Sequence, residues 1–153
     1  MLAIAAVLAG AAVPTFSNLL LESRMNAALS TAMHAVNLAR QYSATRSRTI
    51  RLCGSDGAHA CSGRSDWSAG FLLADADDGE LVQSLALPAG SGAPRIRSNR
   101  ATLEFAGGSG FATPATLTLC DRRGPAGARA VIVSRSGRPR TSDRDASDGL
   151  LAC

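Results

Sequence analysis

Aromatic side chains are scarce in this chain, 4% of 153 residues against 46% hydrophobic residues in all. A core is therefore built mainly from Ala, Leu, Val and Ile, not from large rings. Every basic residue is an arginine, and the missing lysine by itself assigns no ligand. Histidine occurs twice, as His34 and His59, and neither sits in a recognisable nucleophile motif. Gly-x-Ser-x-Gly is absent, and Gly107-Gly108-Ser109-Gly110 lacks the helix and lysine that would make it a phosphate-binding loop. These gaps argue against an enzyme. Internal repeats and long disordered tracts are also missing, and the length has room for about one domain.

Charge is missing altogether from Met1 to Leu21. That run is close to the roughly 20 residues a helix needs to cross a bilayer. Two readings compete, a cleaved secretory signal with Ala9-Gly10-Ala11 as its small-residue site and a retained membrane helix. The basic start of a signal is absent, and helical patterning continues beyond the apolar run. Met25, Leu29, Ala32, Val36 and Ala39 recur at steps of four and three on one face, with Arg24, Asn26, Thr31, Asn37 and Arg40 elsewhere. The expectation is one helix of about 45 residues, roughly 68 Å long. Its first part, 1–21, spans a membrane and its second, 22–47, is amphipathic. Pro14 removes the donor for the Gly10 carbonyl and predicts a kink or local unwinding.

Beyond Ser47 the pattern changes to period two, broken by turn residues. Candidate strands run from Thr49 to Cys53, Trp67 to Ala74, Glu80 to Leu87, Arg95 to Arg97, Thr102 to Ala106, Thr116 to Cys120 and Ala128 to Ser134. Asp78-Gly79 is a strong hairpin signal. Glycine and proline clusters at 90–94, 107–110 and 124–127 mark other turns. The amphipathic half of the helix is expected to cover one face of an antiparallel sheet formed by residues 48–153.

The net charge of +4 hides a segregation along the chain. Arg24, Arg40, Arg46, Arg48 and Arg51 form an early basic block, and Asp56, Asp66, Asp75, Asp77, Asp78 and Glu80 reverse the sign. Arg122, Arg123, Arg129, Arg135, Arg138, Arg140 and Arg144 then make the tail basic again. Asp75 to Glu80 is too short a run for a calcium-binding EF-hand loop, and a solvated hairpin turn accounts for it better.

Four cysteines in a chain that enters a membrane point to an oxidising compartment beyond it. Three pairings are possible, and loop proximity favours Cys53 with Cys61 and Cys120 with Cys153. A metal site at Cys53, His59 and Cys61, supported by Asp56, matches no common zinc spacing, so neither metal nor cofactor is expected.

Gly137-Arg138-Pro139-Arg140 holds two guanidinium forks around a proline. Each fork can bind a pair of anionic oxygens, and proline limits the entropy lost on ordering, so the segment reads as an anion grip on a loop. The bland alternative is a solvated face, or pairing with Asp143, Asp145 and Asp148.

The apolar N-terminal helix with Pro14, the Pro-Thr-Phe-Ser-Asn-Leu-Leu segment, the Cys53 strand and Trp67-Ser-Ala-Gly70-Phe71 occur here in a telling order. Leu119-Cys120-Asp121-Arg122-Arg123-Gly124, Ala128 to Val133 and Gly137-Arg138-Pro139-Arg140 follow them. Together they resemble the FimT/GspH family, minor pilins of type IV pili and minor pseudopilins of type II secretion. The resemblance implies an α+β, type IV pilin-like fold, a long N-terminal helix packed on an antiparallel β domain. The family's leader and its Gly-Phe-Thr-Leu-Ile-Glu processing motif are not in this sequence, so the expectation is that it begins at an internal start.

FimT-like members carry a Gly-Arg-x-Arg loop linked to DNA binding in natural transformation. That loop falls on Gly137, Arg138 and Arg140, with Arg135 and Arg144 flanking it. The resemblance further implies double-stranded DNA, other minor pilins and the major pilin as partners. It implies a single-pass inner-membrane protein whose β domain lies in the periplasm, then on the pilus outside the cell. The alternative is a minor pseudopilin at the tip of a type II secretion pseudopilus, with no DNA role. A secreted disulfide-rich binding domain released by signal cleavage is the third reading.

Overall fold

A computed structural model describes residues 16–57 and 59–153. Helix α1, Leu2–Arg46, is followed by eight strands and one 3-10 turn, Gly124–Gly127. The strands are β1 Ile50–Gly54, β2 Phe71–Asp75, β3 Leu81–Leu85, β4 Arg95–Ser98, β5 Thr102–Phe105, β6 Ala115–Cys120, β7 Arg129–Val133 and β8 Pro139–Ser142. All pairings are antiparallel.

The predicted helix face is the one that is buried: Met25, Leu29, Ala32, Val36 and Ala39 all lie in the core. Its many alanines let the strands approach the helix closely. Most of the candidate membrane span over 1–21, Pro14 included, lies outside the described residues. Among the described residues no helix is long and apolar enough to cross a membrane.

The strands form two four-stranded sheets, ordered β3-β2-β1-β5 and β4-β6-β7-β8, where one sheet was expected. The helix closes over both, and a single apolar cluster joins it to Leu52, Leu73 and Phe105 of the first sheet and Ile96, Leu117 and Val131 of the second. The split falls between β4 and β5, consecutive strands that pair with β6 and β1 respectively. Trp67 lies ahead of its strand instead of within it. It is fully buried, its indole Nε1 donates to the Arg64 carbonyl at 3.1 Å, and its ring meets Phe71 edge-on at 5.9 Å.

Each sheet also has an outer face, turned away from the helix, and a disulfide ties a segment over each. Cys53–Cys61 covers the outer face of β2, where Cys53, Leu72 and Ala74 are buried together. Cys120–Cys153 draws the C-terminus across the second sheet, where Leu151 packs on Ala128, Ala130 and Ile132. With Cys53 and Cys61 joined, neither sulfur is a free thiolate for a metal. Among the described residues no group of His, Cys, Asp or Glu side chains is arranged to hold one.

Asp78-Gly79 makes the predicted hairpin between β2 and β3. Two of its acids are held from the connection between the helix and β1: Arg48 Nε reaches Asp75 Oδ2 at 2.7 Å and its Nη2 reaches Asp78 Oδ2 at 2.8 Å. The Glu80 amide, together with Arg48, holds the Asp78 carboxyl below its ordinary value.

Candidate nucleic-acid interface

The arginine segment is the tip and second strand of a hairpin, not a free loop. β7 and β8 pair with Ile132 opposite Arg140 and Val133 opposite Pro139. Between them the chain turns over Ser134 to Arg138. The Gly137 amide donates to the Ser134 carbonyl at 2.9 Å, and the Ser134 amide and hydroxyl both donate to the Arg138 carbonyl, at 3.1 and 3.2 Å. Gly137 has a φ of +71°, a left-handed conformation that glycine adopts without strain. The turn is therefore ordered by its own backbone before any ligand arrives.

Sequence reasoning did not register β8 because its residues, Pro-Arg-Thr-Ser, do not alternate apolar and polar. As the edge strand of its sheet it needs no such pattern, and proline is tolerated there. The register gives Arg140 a definite side. Val131 and Val133 face the helix, whereas Ile132 belongs to the outer cluster, so Arg140, opposite Ile132, lies on the outer face.

A second contact seats the turn. The Ala112 amide donates to the Arg135 carbonyl at 2.9 Å, and the Gly108 amide donates to the Ser43 carbonyl near the end of helix α1, also at 2.9 Å. A side chain at Gly137 would overlap the Gly110 carbonyl oxygen and come within 3.1 Å of Arg40 Cδ. The stem of Arg40 thus runs beneath the turn. Its Nε is buried and has no hydrogen-bond partner among the described residues. Arg40 was not among the expected site residues, although the signal was there: it follows Val36 by four and precedes Ser43 by three, the spacing of the buried face.

Arg135, Arg138 and Arg140 are exposed. Among the described residues none of the three makes a side-chain hydrogen bond or ion pair, and the pairing with Asp143, Asp145 or Asp148 that could have neutralised them is not made. Asp145 instead accepts the Ser147 and Gly149 amides of its own turn. The early basic block behaves differently, since Arg48 pairs with Asp75 and Asp78, and Arg51 with Glu104 at 3.2 Å. Two of the central acids, Asp75 and Asp78, are thus taken up by Arg48.

The remaining arginines of the tail lie elsewhere. β8 carries the chain away from the turn, so Arg144 sits beyond its far end, with Nη1 on the Asp148 carbonyl at 3.2 Å. Arg144 lies four residues beyond Arg140, past the end of β8. Arg123 binds Asp121 at 2.7 Å and Glu22 at 2.6 Å. Glu22 and Arg40 are 18 residues apart on one helix, about 27 Å, so Arg122 and Arg123 belong to the opposite end of the domain.

Residues 28–137 match the model of the family described as Type II transport protein GspH. The chain belongs to the GspH family. This is the group of minor pilins and pseudopilins, structural proteins of envelope filaments. Two crystal forms of the type IV minor pilin FimU of Pseudomonas aeruginosa share the fold. One has a TM-score of 0.59 at 19% identity, covering 84% of this chain and 98% of FimU. The other has a TM-score of 0.61 at 19% identity, covering 86% and 96%. No curated protein matches the chain. The GspH match begins at Ala28 on the helix and ends at Gly137, so Arg138 and Arg140 lie just past it.

Proposed function

We propose that this chain is a minor type IV pilin that binds double-stranded DNA without sequence specificity through Gly137, Arg138 and Arg140, in support of DNA uptake in natural transformation. One observation carries the reading. Arg138 and Arg140, with Arg135 beside them, are exposed and unpaired among the described residues, on a turn already fixed by hydrogen bonds. Guanidinium forks on a preorganised turn grip phosphates while reading no base, which suits uptake of arbitrary DNA. Arg144 is a separate contact at best, reached only by a ligand that also tracks along β8.

Residues 1–21 anchor the helix in the inner membrane as a single pass, residues 22–47 pack on the β domain, and residues 48–153 lie in the periplasm and then on the pilus. Phe16, Leu19 and Leu20, large apolar side chains exposed on the helix, support packing against lipid or against the helices of other minor pilins and the major pilin. The two disulfides support an oxidising compartment.

The test is a gel-shift titration of duplex DNA with the full chain in non-ionic detergent, wild type against Arg138→Gln with Arg140→Gln. The expected result is weaker binding by the double variant and a shallower salt dependence, by about 0.9 log units per lost phosphate contact per decade of salt. Equal retention of DNA by both proteins would remove the turn from the mechanism. The second reading, a pseudopilin of type II secretion without a DNA role, is favoured by the description of the matching family. Wild-type protein that fails to retain DNA even at low salt would select it.

A further inference from the structure

Phe111 is 58% exposed in a chain with few rings. Trp67, Phe71 and Phe105 are fully buried, Tyr42 is half-buried with the Arg46 guanidinium 4.8 Å from its ring centre, and Phe16 on the helix is the other exposed ring among the described residues. Leaving a phenylalanine in water forfeits the stabilisation that its burial would bring. Looseness of the loop does not account for it. The Phe111 carbonyl accepts the Ala106 amide at 2.7 Å, and its own amide donates to Ser109 Oγ at 3.3 Å.

Its two neighbours both touch the arginine turn. Ala112 donates to the Arg135 carbonyl, and the Gly110 carbonyl lies against Gly137. The residues before it, Gly107, Gly108, Ser109 and Gly110, are too small to cover a ring. An uncovered ring on a backbone held by hydrogen bonds therefore stands on the loop that seats the turn carrying Arg135 and Arg138.

We infer that Phe111 is a stacking platform for an unpaired nucleobase, so that the site holds single-stranded DNA more tightly than closed duplex. The inference rests on the DNA-binding reading above. Arginines that neutralise the backbone and a ring that takes a base face are the two parts of a single-strand site. Base faces are hidden inside a duplex stack, and Phe111 reaches one only where the strands have separated. An apolar partner would cover the ring but leave the guanidinium groups desolvated and unpaired, whereas a polyanion satisfies both.

The experiment compares wild type, Phe111→Ala, Phe111→Leu and the Arg138→Gln, Arg140→Gln double variant, as full chains in non-ionic detergent. Each is titrated by anisotropy with a labelled thymidine oligonucleotide and with a covalently closed duplex circle. Phe111→Ala and Phe111→Leu should lose roughly ten-fold in affinity for the oligonucleotide and change little on the circle. A Phe111→Trp chain should show its emission quenched by the oligonucleotide over a constant background from buried Trp67. Unchanged oligonucleotide affinity in both Phe111 variants, beside clear loss in the arginine variant, would overturn the stacking role and leave the DNA reading standing. Equal loss on both ligands would also overturn it. An arginine variant that binds like wild type would overturn the DNA reading itself.

Discussion

The carbonyl oxygen of Gly110 fills the space that a side chain at Gly137 would need. The turn that presents Arg138 therefore rests directly on the loop that reaches the end of helix α1 through Gly108 and Ser43. Geometry at the tip of one hairpin is thus coupled to packing at the end of the helix.

Gly137→Ala tests that seat. Alanine must adopt the left-handed φ of +71° and overlap Gly110 at once. Stability should fall by about 2 kcal/mol or more, seen as a drop in Tm of roughly 5 °C. A Tm equal to wild type would show that the turn is not held in this way.

Arg40→Met separates packing from charge beneath the turn. Methionine keeps an unbranched stem and removes the buried Nε that lacks a partner among the described residues. Thermal unfolding should therefore be unchanged or raised by up to about 1 kcal/mol. A loss of several kcal/mol would mean that the guanidinium of Arg40 supports the fold.

Acid should weaken the protein through Asp121, whose side chain is only 1% exposed. Burial by itself raises that carboxyl, but the hydrogen bonds and charge of Arg123 outweigh it, and the value in the folded protein is lowered. Its stabilisation is complete above about pH 4, the ordinary value, and is lost as pH falls through the lower folded value. Asp66 and Asp78, also lowered, act with the same sign. Asp121→Asn should flatten the acid limb of stability in urea unfolding at several pH values. Arg123→Met, which strands the buried carboxylate, should cost about 3 kcal/mol at neutral pH. An acid limb untouched by Asp121→Asn would refute the assignment.

Loss of the Cys120–Cys153 bridge should destabilise the second sheet. The bridge spans 33 positions in sequence and holds Leu151 on Ala130 and Ile132. A Cys120→Ala, Cys153→Ala chain should lose on the order of 3 to 4 kcal/mol. Calorimetry of the two proteins under oxidising conditions checks it, and equal melting points would contradict it.

Much of the architecture could be read from local pattern. Helix spacing picked out five residues that are all buried, and each predicted strand meets an observed one apart from differences at its ends. Such differences arise because strand ends depend on partner hydrogen bonds as well as on the residues themselves. β8 escaped because an edge strand carrying Pro139 and Arg140 lacks the alternation that marks a half-buried one. The division into two sheets escaped for a different reason. β4 and β5 are neighbours in the chain, and nothing local directs one to Thr118 and the other to Leu52.

The arginine site divides along the same line. Residue order alone was enough to place two guanidinium groups around Pro139 and suggest the family, because these are properties of adjacent residues. Which arginines share a surface was decided only by folding. β7 carries Arg129 and Arg135 to opposite ends of a strand, Arg144 leaves with β8, and Arg40 arrives from the helix nearly a hundred residues earlier. Charge acts through space, and only the packing of helix, loop and hairpin sets the distances that determine which charges are neutralised and which stay free.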